Sequence, residues 1–326
     1  MRVPDTALKN VVYLGSGDSS SSFHAIGTGF LVDHNRIPGG VSYLVTADHV
    51  ARKLKPRFAI RFNDKQGKSH VQQSQKYYRW WRHPTDKSVD AAVFPWGLKG
   101  GFSSLPIHRV LTDTTRELTR IGIGDEIFIV GLFRKWAGRN QMVPIVRHGH
   151  IAMIASEPIP TKNYGDALMH LVEAFSLAGM SGSPVLARQT RPIPLVSQNA
   201  FEADTGMVLG DIYLLGLVHG IFPTEVAYEV RDADPGQVWH SGISMVVPST
   251  KILEILNQPK LIEYEKKVFE TVEKEKNKPI ETAIAEPADG NLHPKLKRKN
   301  RDIPIAPISR EKFFGHLKKA TKRGKR

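Results

Sequence analysis

Cysteine is absent from the 326 residues. That excludes disulfides, thiolate metal sites and a cysteine nucleophile together. No apolar run approaches the ~18–20 residues that a membrane span needs. Residues 1–15 lack a basic stretch followed by a continuous apolar one. No secretory signal is read there, and a cytoplasmic location is expected. With 40% hydrophobic and 24% charged residues, the composition is that of a globular protein. Wholesale disorder, collagen-like repeats and coiled-coil fibres are excluded. The length suits one large domain or two small ones.

Acidic residues are scarce at one end only. The net charge is +14, of which residues 290–326 carry +11: thirteen Lys/Arg stand against Asp302 and Glu311. Residues 260–289 sum to −2, leaving +5 for residues 1–259. The basicity belongs to a tail, so the function of the body is not argued from charge.

Long helical patterns are also few. Short apolar segments recur between turn signals and predict strands. They are Asn10–Leu14, Gly27–Val32, Val41–Thr46, Arg57–Phe62, Ala91–Phe94, Glu126–Leu132, Val143–Ile154, Ala167–Leu171, Pro184–Leu186, Tyr213–Val218 and Gly242–Val247. Breakers such as Pro38-Gly39-Gly40 and Pro158-Ile159-Pro160 separate them. An all-β fold of two barrels, divided near Pro106–Thr115, is expected. The first clear helix signal comes late. Ser249-Thr250 can cap a helix over 249–257, and Leu261, Tyr264, Val268 and Val272 line one face of a charged helix over 260–278. Residues 279–326 read as a flexible basic tail with a possible short helix at 310–320.

The strongest local signal is Gly179-Met180-Ser181-Gly182-Ser183-Pro184. A nucleophilic serine needs an exposed hydroxyl, with backbone N–H groups nearby to hold an oxyanion. Glycines beside Ser181 permit the tight turn that gathers such groups. The bland alternative is an ordinary Gly/Ser turn. A serine also needs a base. His49 ends the apolar strand Leu44–Val50 and is the natural candidate, although a lone histidine there is also a common structural residue. A third group must orient the imidazole. Asp90 precedes the apolar Ala91–Phe94, where a buried carboxylate needs a partner. Asp86 is a nearby rival.

His49, Asp90 and Ser181 together, in that order, carry a resemblance. With Gly27-Thr28-Gly29-Phe30-Leu31-Val32, Asp90-Ala91-Ala92-Val93, Leu215–Gly220 and Gly242–Pro248, the chain resembles the trypsin-like serine peptidases. It looks closest to cysteine-free bacterial members, including the DegP-like branch, over roughly Val11–Leu256. The resemblance implies two six-stranded antiparallel β-barrels with the active site in the cleft between them. A peptidase domain would span 8–257, with barrel one about 8–107, barrel two about 115–248 and a closing helix 249–257. It implies Ser181 as nucleophile, His49 as general base and Asp90 as its partner. Gly179 and Ser181 would supply the oxyanion hole. No metal or cofactor is needed. It places Phe175 near the base of the pocket for the residue before the scissile bond. Val218, His219 and Gly220 would form one wall, and Val246 another. A small or apolar residue is favoured in that pocket. His219 is open to three readings: contact with the triad, contact with an acidic side chain, or a satisfied rim histidine.

Departures from the family pattern shape further expectations. Met180 stands where zymogen-activated members carry Asp, so ordering of the turn by substrate or a partner is expected instead. Only 67 residues follow Pro259, and they suggest no peptide-binding module.

Other features carry weaker readings. His148 and His150 alternate on a strand but lack a third clustered ligand for a metal. Tyr77–Arg82 suits core packing or a loop near the cleft better than base stacking. Residues 295–326 could bind nucleic acid or an acidic surface weakly, and Phe313, Phe314 and Leu317 could anchor a regulatory partner. Three functions are therefore weighed: a serine endopeptidase on protein or peptide substrates, a silent pseudo-protease used for binding, and a protein acting through its tail.

Overall fold

A computed structural model describes residues 3–276 except 35, 37–40, 65, 75–78, 99–102, 134, 135, 137, 139, 178, 191, 192, 195–206, 209 and 224–239. The expected tail, with Phe313, Phe314 and Leu317, lies outside the described residues, as do Tyr77 and Tyr78. Residues 1–263 form one compact unit, and residues 264–326 are a second.

Helix α1 (Asp5–Lys9) leads into strands β1 (Val11–Ser16), β2 (His24–His34) and β3 (Val41–Thr46). Helix α2 (Asp48–Lys53) follows, then β4 (Ala59–Asn63), β5 (Ser69–Gln73), β6 (Trp81–Arg82), β7 (Ala92–Leu98) and β8 (Leu105–Pro106). After α3 (Asp113–Thr119) come β9 (Glu126–Gly131), β10 (Ile145–Met153), β11 (Pro158–Thr161), β12 (Gly165–Leu168) and β13 (His170–Glu173). The chain continues through β14 (Pro184–Arg188), β15 (Ile193–Pro194), β16 (Met207–Val208), β17 (Ile212–Pro223) and β18 (His240–Pro248). Helices α4 (Ser249–Leu256) and α5 (Pro259–Lys276) end the described chain.

The all-β reading holds. The C-terminal half is a closed barrel of six strands, β10-β13-β18-β17-β14-β9, each antiparallel to its neighbours. The N-terminal half is an eight-stranded sheet, in the order β5-β4-β1-β2-β3-β7-β6, with β8 laid parallel on β2. It is thus more elaborate than a six-stranded ring. The second barrel is filled by Ile127, Ile129, Ile151, Val172, Val185 and Leu215 among others. Each such side chain contributes about 1.5–3 kcal/mol by leaving water. Tyr13, Phe30, Leu44 and Phe94 do the same for the first sheet.

The departures from the sequence pattern have local causes. Helices α1 to α3 are five to seven residues long, too short for a 3.6-residue period to show. Proline-flanked Ile159 sits in a strand rather than a breaker, because β11 pairs only with β12 in a two-stranded ribbon. Proline is tolerated on such edges. The single strand expected over Ala167–Leu171 is two strands, parted at Met169. Trp80 packs on Phe58 and Phe94, so the described part of the aromatic run serves the core.

His170 ties the barrel to the β10–β11 turn: its Nδ1 accepts the Ala155 N–H at 2.9 Å. Burial, reinforced by the charge of Arg116, lowers its pKa to about 4. The fold therefore favours the neutral ring. Stability from this site is complete above the unfolded value of about 6.5 and is lost as pH falls towards 4. We expect wild type to lose on the order of 3 kcal/mol across that window from this group. Urea midpoints at pH 7.5 and 4.5 should show a smaller fall in His170→Asn than in wild type. Equal falls would reject the assignment.

Candidate active site

His49 lies in the first turn of α2. That helix has no side-chain cap of its own at Ala47. Its exposed N–H groups need acceptors, and Asp90 supplies one from outside: its Oδ1 accepts the His49 backbone N–H at 2.8 Å. The other oxygen, Oδ2, lies 2.7 Å from His49 Nδ1. An ionised carboxylate only accepts, so Nδ1 carries the proton and Nε2 keeps its lone pair. Asp90 is fully buried just before β7. Burial alone would raise its pKa. Hydrogen bonds from His219 and His49 outweigh that and hold the carboxyl well below the usual carboxylate range. Asp86, the rival, instead accepts Ser88 N–H and Oγ at 2.9 and 2.6 Å within its own turn.

Ser181 stands on the turn before β14. Gly179 has φ +102° and Gly182 has φ +83°, a region that side chains disfavour. A Cβ at Gly182 would also land on the Thr46 hydroxyl and the Thr28 carbonyl. The turn is tied across to β2. Thr28 N–H donates to the Ser181 carbonyl at 3.1 Å, and Thr28 Oγ1 donates to the Gly179 carbonyl at 2.9 Å. Ser183 N–H holds the Met180 carbonyl at 2.9 Å, which turns the N–H of Ser181 the opposite way. Among the described residues, no hydrogen bond engages the N–H of Gly179 or of Ser181. Two unspent donors on one turn are what an oxyanion requires. The Ser181 hydroxyl lies 3.4 Å from the His219 carbonyl and makes no hydrogen bond to His49.

His219 is drawn to Asp90. Its Nδ1 is 2.5 Å from the same Oδ2 that holds His49. The two imidazole rings meet edge-on at 5.8 Å. Of the three readings open for this residue, contact with Asp90 is the one observed. A register shift between Val218 and Gly220 turns the β17 backbone here. Val218 and Val246 are fully buried in the barrel core, so their side chains are not a pocket wall. A Cβ at Gly220 would meet open space. Phe175, expected near the base of that pocket, is 55% exposed. Its carbonyl accepts Arg147 Nε at 2.9 Å, and its ring lies 3.8 Å from where a Gly242 Cβ would be.

Two further side chains adjoin the site. Tyr164, at the tip of the β11–β12 hairpin, lies edge-on to His219 at 5.7 Å. Burial, then the charge of Asp90, pushes its phenol above the ordinary range. Asp48, buried beside His49, is gripped by Arg52 Nε at 2.6 Å and Arg82 Nε at 2.5 Å. The i,i+4 spacing of Asp48 and Arg52 is a readable signal. Tyr164 has none, because its contacts are made across the fold. His148 and His150 stand apart from this cluster, with His148 Nε2 on Glu126 at 2.9 Å.

No family model and no curated protein sequence matches the chain. Among solved structures, it is similar to the MamO protease domain from Magnetospirillum magneticum (apo form), with 16% identity and a TM-score of 0.46. That alignment covers 78% of this chain and 98% of the other. It is also similar to the HtrA-type protease AlgW with tripeptide, with 16% identity and a TM-score of 0.45. There it covers 77% of this chain and 60% of AlgW.

Proposed function

We propose that this chain is a serine endopeptidase acting through Ser181, His49 and Asp90. The observation that carries the reading is the convergence of two halves. Asp90 fixes His49 in the tautomer of a base. The Ser181 turn, tied to Thr28, carries two unspent N–H donors beside it. The reaction requires the Ser181 side chain to turn away from the His219 carbonyl and present its hydroxyl to His49 Nε2. Hydrogen bonds of this kind are often long before substrate arrives. Ser181 Oγ then attacks the scissile carbonyl as its proton passes to His49 Nε2. The N–H groups of Gly179 and Ser181 hold the oxyanion. His49 returns the proton to the leaving amine, and water hydrolyses the acyl-enzyme.

The Ser181–His219 carbonyl contact favours a second reading, a binding module with an idle serine. Labelling by a fluorophosphonate, read by intact mass, separates the two. A single adduct is expected on wild type and none on Ser181→Ala or His49→Ala. Folded wild type that stays unlabelled would overturn the peptidase reading.

A further inference from the structure

A hydrolytic relay uses one histidine on its carboxylate; here there are two. The donor atoms of His49, Asp90 and His219 all lie within 4.8 Å of one another. His49 Nδ1 and His219 Nδ1 stand 2.7 and 2.5 Å from one oxygen of Asp90. The carboxylate is fully buried, while the two imidazoles are 24% and 11% exposed. Solvent therefore reaches the cluster from the imidazole side. Two neutral imidazoles and a carboxylate carry one negative charge and suit a borderline divalent ion. Three protein ligands with an open fourth position are a common zinc arrangement. The guanidinium groups of Arg52 and Arg82 are paired with Asp48.

We propose that His49, Asp90 and His219 form a binding site for a zinc-class divalent cation, and that the ion and the general base are mutually exclusive. Tetrahedral zinc at ~2.0–2.1 Å from each donor spaces its ligands by roughly 3.3 Å. The two rings need to withdraw from Asp90 by under about 1 Å. To ligate through Nδ1, each ring passes its Nδ1 proton to Nε2 by way of solvent. The Nδ1–H···Oδ2 bonds are replaced by metal–nitrogen and metal–oxygen bonds, and no proton is gained or lost. His49 Nε2 is then protonated and has no lone pair with which to accept the Ser181 proton.

Binding stands apart from the proposed peptidase function; only the exclusivity rests on it. The full chain, stripped with a chelator, is titrated with Zn2+ by calorimetry and with Co2+ by visible absorption. One ion per chain and the bands of four-coordinate Co2+ are expected. His219→Asn and His49→Asn, each checked for a native melt, should weaken the site beyond the ~10–100-fold that losing an outer partner costs. His148→Asn/His150→Asn should bind as wild type does. Wild type and His219→Asn binding alike, or no binding by wild type, would overturn the site. Zinc should also block fluorophosphonate labelling of wild type. A zinc-loaded protein that still labels would overturn the exclusivity alone. If nothing labels with or without zinc, the peptidase reading fails and the titration still decides the site.

Discussion

Asp90→Asn is expected to lower kcat on a cleaved peptide by about 10⁴-fold, and His49→Ala by about 10⁶-fold. The asparagine change is the sharper test, because the fold can tolerate it. Asp90 Oδ1 accepts the backbone N–H at the start of α2. An asparagine oxygen can take that place and keep the helix capped. Its NH2 group then faces His49 Nδ1, where Oδ2 stood. A donor there demands a lone pair on Nδ1, which moves the ring proton to Nε2. The base is lost through its tautomer, with the geometry kept. The same NH2 faces His219 Nδ1, so both rings switch together. Steady-state kinetics and a native melting profile together decide the matter. A loss below tenfold in folded Asp90→Asn would show that His49 does not depend on Asp90.

How much of this was legible in the sequence follows from the range of each interaction. Val41–Thr46 is a strand in both the pattern and the structure, because its apolar run is bounded by turn residues on the chain itself. Asp90 was legible because a carboxyl beside an apolar run must find a partner, and it has found three N–H groups. The side-chain directions on β17 were not legible. Leu215 and Val218 both fill the barrel although they lie three residues apart, because the pairing of β17 with β14 skips a residue between Leu214 and Gly216. Alternation alone cannot locate such a shift. Helix α2 was missed for a related reason: the residue that caps it is Asp90, on the approach to another strand. Tyr164 was beyond reach, since only the folding of the β11–β12 hairpin brings it to His219.

Thr28→Val should reduce kcat by about 10²–10³-fold with little change in KM, the scale of losing one oxyanion donor. Thr28 is fully buried, and valine matches its shape. Its hydroxyl donates to the Gly179 carbonyl and accepts the Leu132 N–H, both at 2.9 Å. Valine leaves the buried Leu132 N–H without its partner, at about 1–3 kcal/mol, and takes the same hydroxyl from the half-buried Gly179 carbonyl. Stability should therefore fall by at least roughly 1–3 kcal/mol. The catalytic effect has a separate origin. With its carbonyl released, the Gly179–Met180 peptide keeps the tie of the Met180 N–H to the Leu177 carbonyl at 2.9 Å but loses its hold on β2, and glycine resists a turn about ψ least of all residues. The N–H groups of Gly179 and Ser181, which the proposed mechanism needs on one oxyanion, are then less firmly placed before substrate arrives. Thr28→Ser restores the hydroxyl and should recover most of kcat, although it still lacks the methyl group. A Thr28→Val enzyme that is destabilised but turns over at the wild-type rate would reduce Thr28 to a tie between the two halves. Equal losses in the serine and valine variants would point to packing instead of the hydroxyl.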